Sequence, residues 1–216
     1  MATEVMAEGG SVVRAGECQA SGHEWPVRVG EWLFRRRSAL PLALVALPVS
    51  TAGAGRGTWA AAAALLVLGI GLRIVGVAAA GPETRRRTRA VRTLVVHGPY
   101  AWTRNPIYIG NGLLWAGCAT ALGDPRFACV ALALFAVAYS LIVRYEEDVL
   151  TSTFGGAYRA YAAGTPRWLP RIPRGGAVSG GPGGAYRWDL AWRREWNTAL
   201  NIAVAAGVLV VKARAG

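Results

Sequence analysis

Residues 107–143 read IYIGNGLLWAGCATAL, GDPR and FACVALALFAVAYSLIV, and this stretch decides the fold. The first and last of these segments are almost entirely apolar, and Gly123, Asp124 and Pro125 between them are typical turn residues. A tight turn between two apolar runs predicts an antiparallel helical hairpin. Both runs are slightly shorter than the roughly 20 residues that span a bilayer, although flanking aromatic residues can extend them.

Three further apolar runs lie outside this hairpin, at Ser38–Gly55, Trp59–Ala80 and Thr198–Val211. The whole chain is 53% hydrophobic and only 17% charged, with a mean hydropathy of +0.30. Soluble domains carry about 25% charged residues, so the composition favours a bilayer environment. We therefore predict an all-α polytopic membrane protein of about five transmembrane helices, although the last run is short for a span.

Arginine placement predicts how these helices are oriented. The formal net charge is +12, and basic clusters at 35–37, 85–92 and 144–194 all fall on one side of the membrane if every run spans. The positive-inside rule places that side, and the N-terminus, in the cytoplasm of a protein integral to the plasma (inner) membrane. Because the arginines alternate with apolar runs, the charge argues against nucleic-acid binding, and nothing in the sequence implies an obligate protein partner.

Composition divides the chain into four parts. Residues 1–30 are predicted to be a disordered tail without the apolar run of a cleavable signal peptide, and 31–170 to be the membrane core. Residues 171–186 form a Gly/Pro-rich linker, and 187–216 an interfacial helix followed by the final transmembrane helix. Trp188, Trp192 and Trp196 recur every four residues, which predicts an aromatic stripe on one face. We favour a membrane anchor over the alternative, one wall of a lateral entrance for a lipophilic substrate.

Two features inside the second apolar run carry open interpretations. Arg73 must either extend its side chain to the interface or face a polar cavity, and the sequence does not choose between these. Gly69 and Gly71 are better explained by close helix packing than by nucleotide binding. The three cysteines include no C-x-x-C pair, so neither a disulfide framework nor a metal site is expected.

Chemistry is expected where the hairpin meets the cytoplasm. Residues 97–110 read HGPYAWTRNPIYIG and gather aromatic and basic side chains at a helix mouth, while 144–148 read RYEED where the fourth run ends. Either segment alone has a plain explanation, as an interfacial aromatic belt or as solvated charge. Glu146 and Glu147 point about 100° apart on a helix, so only one of them needs to face a pocket.

The two segments together resemble the isoprenylcysteine carboxyl methyltransferase and phospholipid methyltransferase family. The resemblance rests on Gly98-Pro99-Tyr100 with Arg104-Asn105-Pro106-Ile107-Tyr108-Ile109-Gly110, then on Glu146 to Leu150, Phe154-Gly155, Tyr158, Tyr161 and Pro166-Arg167-Trp168-Leu169-Pro170. It covers about residues 65–170, with the blocks in the family's order and spacing.

This resemblance implies an enzyme, an S-adenosylmethionine-dependent methyltransferase with its cofactor pocket on the cytoplasmic side. It places the cofactor near Leu94, Val95, Tyr100, Asn105, Pro106, Ile107 and Tyr108, with Glu146 as the partner of the amino-acid part. It assigns Arg104 and Arg144 to catalysis, the latter as a substrate-side arginine. Many family members have His where this chain has Asn105, so a mechanism that needs an imidazole base at this position would fail here.

The residue types suit methyl transfer. A Glu can pair with the ammonium of S-adenosylmethionine and an Arg with its carboxylate, while tyrosine faces stabilise a sulfonium by ~1 kcal/mol each. A carboxylate or thiolate acceptor needs no general base, whereas an amine acceptor does. Glu147 is then a candidate catalytic residue, and His97 serves either as a base or, as we favour, as a hydrogen-bonding group of the loop. The expected acceptor is lipophilic or amphipathic and reaches the site from the bilayer.

Two other functions stay open at this stage. Sterol reductases share a similar Arg-x-Pro-x-Tyr helix mouth, so an NADPH-dependent membrane reductase is one alternative, although the chain has no G-x-G-x-x-G. The other is a non-catalytic membrane protein with the same fold, which the replacement of His by Asn105 keeps open.

Overall fold

The computed structural model describes residues 25–37, 39–40, 56–81, 93–171 and 186–215. Most of the predicted first span, Ser38–Gly55, lies outside the described residues, as do the arginine cluster at 85–92 and nearly all of the 171–186 linker. The described part of the chain is helical and contains no strand, which confirms the all-α prediction. Its helices are α1 (Trp25–Arg36), α2 (Arg56–Ala80), a 3-10 turn (Gly98–Ala101), α3 (Pro106–Leu122), α4 (Pro125–Phe154), α5 (Gly156–Gly164) and α6 (Trp188–Ala215).

The predicted hairpin is formed by α3 and α4. Gly123 ends α3 with a positive φ of 70°, a conformation that costs glycine little. Asp124 caps α4 because its carboxylate accepts a hydrogen bond from the Arg126 amide at 2.9 Å, and Pro125 fits the first helical position. The helix extends beyond the apolar run that ends at Val143, since α4 continues to Phe154 and Gly155 follows as its C-cap. The acidic residues 146–148 are therefore helical.

By length and composition, two of the described helices could cross a membrane, over Thr58–Ala80 and Pro125–Phe154. α3 is 17 residues long, slightly short of a full span. The five-span topology, its orientation and the inner-membrane location stay predictions.

Glycines bring α2 and α3 into close contact. A side chain on Gly69 would meet the Gly110 carbonyl oxygen at 2.9 Å, and one on Gly117 would meet Leu66 at 2.8 Å. Nearer the end of α2, Gly76 faces Ile107 in the same way. Small residues at such a crossing are typical of helix packing in membranes. The packing interpretation of Gly69 is thus confirmed, whereas Gly71 faces open space.

The terminal helices pack on this centre. In α1, Gly30 lies against the Leu141 carbonyl of α4, where a side chain would clash. α1 begins at Trp25, so residues 25–30 are helical and do not belong to a disordered tail.

α6 is one continuous helix from Trp188 to Ala215, so the interfacial segment and the final apolar run are not separate elements. Its Ala191 is fully buried against Val77 and Ala78 of α2. Trp188, Trp192 and Trp196 are all exposed, which confirms a stripe but leaves its role as an anchor a prediction.

Candidate functional site

The two sequence blocks of the family resemblance meet through main-chain hydrogen bonds. The Arg104 amide donates to the Pro166 carbonyl at 2.9 Å, and the Arg171 amide donates to the Trp102 carbonyl at 3.0 Å. The buried Thr103 hydroxyl donates to the Arg167 carbonyl at 3.2 Å. The loop before α3 and the loop after α5 therefore form one polar unit at the end of the α3–α4 hairpin.

Asn105 stabilises this junction. It lies at the N-terminal boundary of α3 and is almost fully buried, yet its side chain makes no helix-capping hydrogen bond. Its Nδ2 instead donates to the Arg167 carbonyl at 3.0 Å. Pro106, completely buried, follows as the first helical residue. The structure thus gives both residues a role in joining the two loops, and the prediction that they contact a cofactor stays untested.

Glu147 is held by two guanidinium groups. Its Oε1 lies 2.9 Å from Nη1 of Arg104 and accepts from Nε of Arg167 at 3.0 Å, while its Oε2 lies 2.5 Å from Nη2 of Arg167. The Arg167 contact is bidentate, which is the strongest geometry for such a pair. Its hydrogen bond to Glu147 raises the pKa of Arg167 further, so that side chain stays cationic. One carboxylate thus couples the first sequence block to the second.

Glu146 faces a different set of groups. Its Oε1 accepts a hydrogen bond from the Tyr108 hydroxyl at 2.8 Å, and Nη1 of Arg37 lies 3.9 Å away. The Tyr108 ring meets Tyr139 edge to face, with centroids 5.1 Å apart. The two glutamates therefore have different neighbours, and the expectation that only one of them needs to face a pocket stays a prediction.

Aromatic residues border the same region. The Tyr161 hydroxyl donates to the Tyr100 carbonyl at 2.8 Å and so fixes the 3-10 turn against α5. Burial raises the pKa of Tyr100, and the negative charge of Glu146 raises it further, which keeps this phenol neutral. Leu94 and Val95 are half-buried in the segment before the turn.

Two buried polar atoms in this region have no hydrogen-bond partner within the described part of the chain. They are Nε2 of His97 and Nε of Arg104. Buried groups of this kind are rare because each costs about 1–3 kcal/mol unless a ligand or water satisfies it. Their position, on either side of the 3-10 turn, makes this end of the hairpin the best candidate for a ligand site.

Arg73 settles one question that the sequence left open. Its side chain turns inward and makes a bidentate pair with Glu195 of α6, at 2.7 and 2.9 Å. It also donates to Asn111 of α3, which in turn donates to the Tyr139 hydroxyl at 3.1 Å. A charge within an apolar helix needs such partners, so Arg73 ties α6 to the centre of the bundle.

The remaining predicted site residues lie apart from these polar groups. Ile107 packs on Gly76 and beside the apolar cluster of Val77 and Ala78. Arg144 is exposed on α4. The structure thus brings together Arg104 with Glu147, and Tyr108 with Glu146, but leaves Arg144 at the surface.

Sequence reasoning assigned no role to several of the partners. Arg167 belonged to the second block, and nothing in the sequence indicated its contact with Glu147. Arg37 was counted only as part of a basic cluster. Arg73 was noticed as a charge in an apolar run, whereas its partner Glu195 lies 122 residues away, too far for any local pattern to indicate.

Comparison with known proteins agrees with the geometry. Residues 58–157 match the model of the phospholipid methyltransferase family, which confirms the resemblance drawn from the two sequence blocks. Together with the two apolar helices, this match indicates association with a membrane. No solved structure matches the chain significantly.

Two curated relatives are similar over shorter segments. The cobalt-zinc-cadmium resistance protein CzcN of Cupriavidus metallidurans is 37% identical over 87 residues, which are 39% of this chain and 38% of that protein. The nickel-cobalt-cadmium resistance protein NccN of Alcaligenes xylosoxydans xylosoxydans is 30% identical over 79 residues, 37% of each chain. The chain thus matches less than two fifths of the length of either relative. Its described residues contain no group of three or more His, Cys, Asp or Glu placed to hold a metal ion.

Proposed function

We propose, from the membership of residues 58–157 in the phospholipid methyltransferase family, that this chain is an S-adenosylmethionine-dependent methyltransferase. Its acceptor is a lipophilic or amphipathic molecule that enters from the bilayer at the cytoplasmic face. The observation that carries the proposal is the meeting of both family blocks at one end of the α3–α4 hairpin, where Glu146, Tyr108 and Tyr100 lie beside Arg104 and Glu147.

The residues at this end suit the cofactor. S-adenosylmethionine, when bound, supplies an electrophilic methyl group on a sulfonium centre. Glu146 carries the charge to hold its ammonium group, and the rings of Tyr100 and Tyr108 can stabilise a sulfonium. Nε2 of His97 is buried without a partner among the described residues, so a hydrogen-bonding edge of adenine or ribose would satisfy it. Leu94 and Val95 contribute apolar surface.

We assign binding of the methyl acceptor to Arg104. Its Nη1 is held by Glu147, while its buried Nε has no partner among the described residues and can donate to a bound acceptor. Alignment of the reacting groups and exclusion of water supply most of the acceleration in such a displacement. Glu147 is engaged by two guanidinium groups, so we infer that it positions Arg104 and does not act as a base. That arrangement favours acceptors that need no base, namely carboxylates and thiolates.

Calorimetric titration of the purified protein with S-adenosylhomocysteine tests cofactor binding. We expect saturable binding, and no binding at millimolar ligand to a folded protein would overturn the proposal. Transfer of a labelled methyl group into a lipid extract of the source cells then tests turnover. Binding without transfer would favour a non-catalytic protein, and stoichiometric NADPH oxidation with a sterol would favour a reductase.

The names of the two relatives suggest one refinement of that assay. Both refer to resistance to metal cations, so lipid extracts are prepared from cells grown with and without cobalt or cadmium. A labelled product that increases after exposure to the metal would connect the methyl acceptor to the cells' response to that metal. An equal yield from both extracts would separate methyl transfer from metal exposure.

A further inference from the structure

The start of α6 lies over the 3-10 turn of the candidate site, although α6 is outside the segment that matches the family. The Tyr186 ring, just before α6, meets the His97 imidazole edge to face, with centroids 6.1 Å apart. Its hydroxyl approaches Gly98 so closely that a Cβ atom at this position would collide with it. Tyr186 therefore covers one side of the turn, and the glycine at position 98 permits that close approach.

This cover bears on the buried nitrogen of His97. Nε2 of His97 is buried and has no hydrogen-bond partner within the described part of the chain. A ligand that satisfies this atom has to contact it, and no ligand can do so while the atom stays buried. A neighbouring group therefore has to move before a ligand reaches His97.

The other groups around the turn are firmly held. Pro99 is buried, and the Tyr161 hydroxyl donates to the Tyr100 carbonyl at 2.8 Å. Ala79 of α2, which also lies near the turn, is buried as well. Tyr186 is instead 37% exposed, and its hydroxyl makes no hydrogen bond to a described residue. The tyrosine is thus the neighbour that is easiest to displace.

α6 is clamped from Ala191 onward and is less firmly attached before it. Ala191 is fully buried against α2, and Glu195 makes a bidentate ion pair within the apolar bundle. Closer to the start of the helix, the Arg187 amide donates to the Ala78 carbonyl at 3.0 Å. The side chains of Arg187 and Asp189 pair with each other, and both are more than half exposed. The residues before Ala191 can therefore move while the rest of α6 stays in place.

We propose that Tyr186 is a movable cover that controls the access of ligands to His97. Its ring stacks on the exposed Trp188, with centroids 5.4 Å apart, so the two rings move together when the start of α6 is displaced. The identity of the ligand rests on the proposed function, in which His97 contacts the nucleoside part of the cofactor. Access to a site built by residues 58–157 would then depend on the C-terminal helix.

The first test needs no ligand. Diethyl pyrocarbonate reacts mainly with an accessible imidazole Nε2, and His23 is the only other histidine in the sequence, so it serves as an internal reference. We expect Tyr186→Ala to raise the rate of His97 modification about tenfold relative to His23, because the covered fraction falls. Mass spectrometry of the modified peptides measures both rates.

Two further variants control this measurement. Tyr186→Phe keeps the ring over the turn and should retain the slow rate. Trp192→Ala truncates an exposed side chain on the same helix and should also leave the rate unchanged. An unaltered rate in Tyr186→Ala, or an equal increase in Trp192→Ala, overturns the assignment of Tyr186 as a cover.

The second test measures the rates of S-adenosylhomocysteine binding by stopped flow. A cover that controls access changes association and dissociation by the same factor, so we expect Tyr186→Ala to speed both about tenfold and to leave Kd within about threefold. Faster dissociation alone would make Tyr186 a ligand contact and overturn its role in access. No binding to the folded wild-type protein overturns the proposed function, whereas the His97 modification rates still decide whether Tyr186 covers the turn.

Discussion

Glu146 and Glu147 are adjacent in sequence on one helix, yet the structure places them in opposite situations. Glu147 is gripped by Arg104 and Arg167, with every contact at hydrogen-bonding distance. Glu146 receives one phenolic hydrogen bond and has a guanidinium 3.9 Å away. Because successive helical residues point about 100° apart, one carboxylate faces the junction of the two loops and the other faces α1 and α3.

The difference indicates how the two functions of a carboxylate are divided at this site. Glu147 has no strong interaction left to offer a ligand, so its charge serves to hold the loops before α3 and after α5 together. Glu146 keeps hydrogen-bonding capacity on a carboxylate that is already oriented by Tyr108. A saturated carboxylate is expected to matter for stability, and an unsaturated one for binding.

Glu147→Gln is expected to have the largest effect. It leaves two guanidinium groups without their shared partner and should lower the free energy of unfolding by about 2–3 kcal/mol, less than for a fully buried pair since Arg167 is partly exposed. Thermal unfolding in detergent measures this, with Asp189→Asn in an exposed ion pair as the control. An unchanged melting temperature would show that Glu147 does not stabilise the fold, and its proposed difference from Glu146 would then be wrong.

Glu146→Gln should have the complementary effect. The amide still accepts from Tyr108 but loses the charge, so we expect the Kd of S-adenosylhomocysteine to rise about 10- to 100-fold while the melting temperature stays near that of the wild type. Titration calorimetry on the same preparation gives both the affinity and the folded fraction. If full affinity is retained, Glu146 is misassigned and the cofactor lies elsewhere.

Sequence patterns could predict the helical hairpin that carries these two glutamates. Gly123, Asp124 and Pro125 indicated the turn of the hairpin, and the structure has it there. The end of α4 was harder, because the charged residues after Val143 break the apolar pattern without breaking the helix. Gly155, which has a positive φ of 52°, is what ends it.

The partners at the site could not be predicted in the same way. The contact between Glu147 and Arg167 depends on how two loops fold back on each other, and hydrophobic periodicity in the sequence does not indicate such a contact. Arg73 could be recognised as a charge that needs a partner, but Glu195 enters only because α6 returns to pack on α2. Arg37 depends in turn on the close seating of Gly30 on α4.

Asn105 offers a finer test, since the structure assigns it to the loop junction. Asn105→Ala removes the donor to the Arg167 carbonyl, and we expect the free energy of unfolding to fall by about 1 kcal/mol with cofactor affinity nearly unchanged. Asn105→His is the matched variant, because an imidazole N–H can replace the amide donor and many family members carry His here. A tenfold loss of affinity in the alanine variant without loss of stability would place Asn105 on the cofactor.

Arg144 should give the smallest effect. Its side chain is exposed on α4, next in sequence to the buried Tyr145 and on the same helix as both glutamates. Surface substitutions of this kind change the free energy of unfolding by no more than about 0.5 kcal/mol, so Arg144→Gln should leave both melting temperature and S-adenosylhomocysteine affinity unaltered. If the family resemblance correctly implies a substrate-side arginine, the change appears only in the rate of labelled-methyl transfer at low acceptor concentration. A loss of cofactor affinity would instead indicate that Arg144 contributes to the cofactor site beside Glu146. The different roles of the two glutamates would then not account for binding.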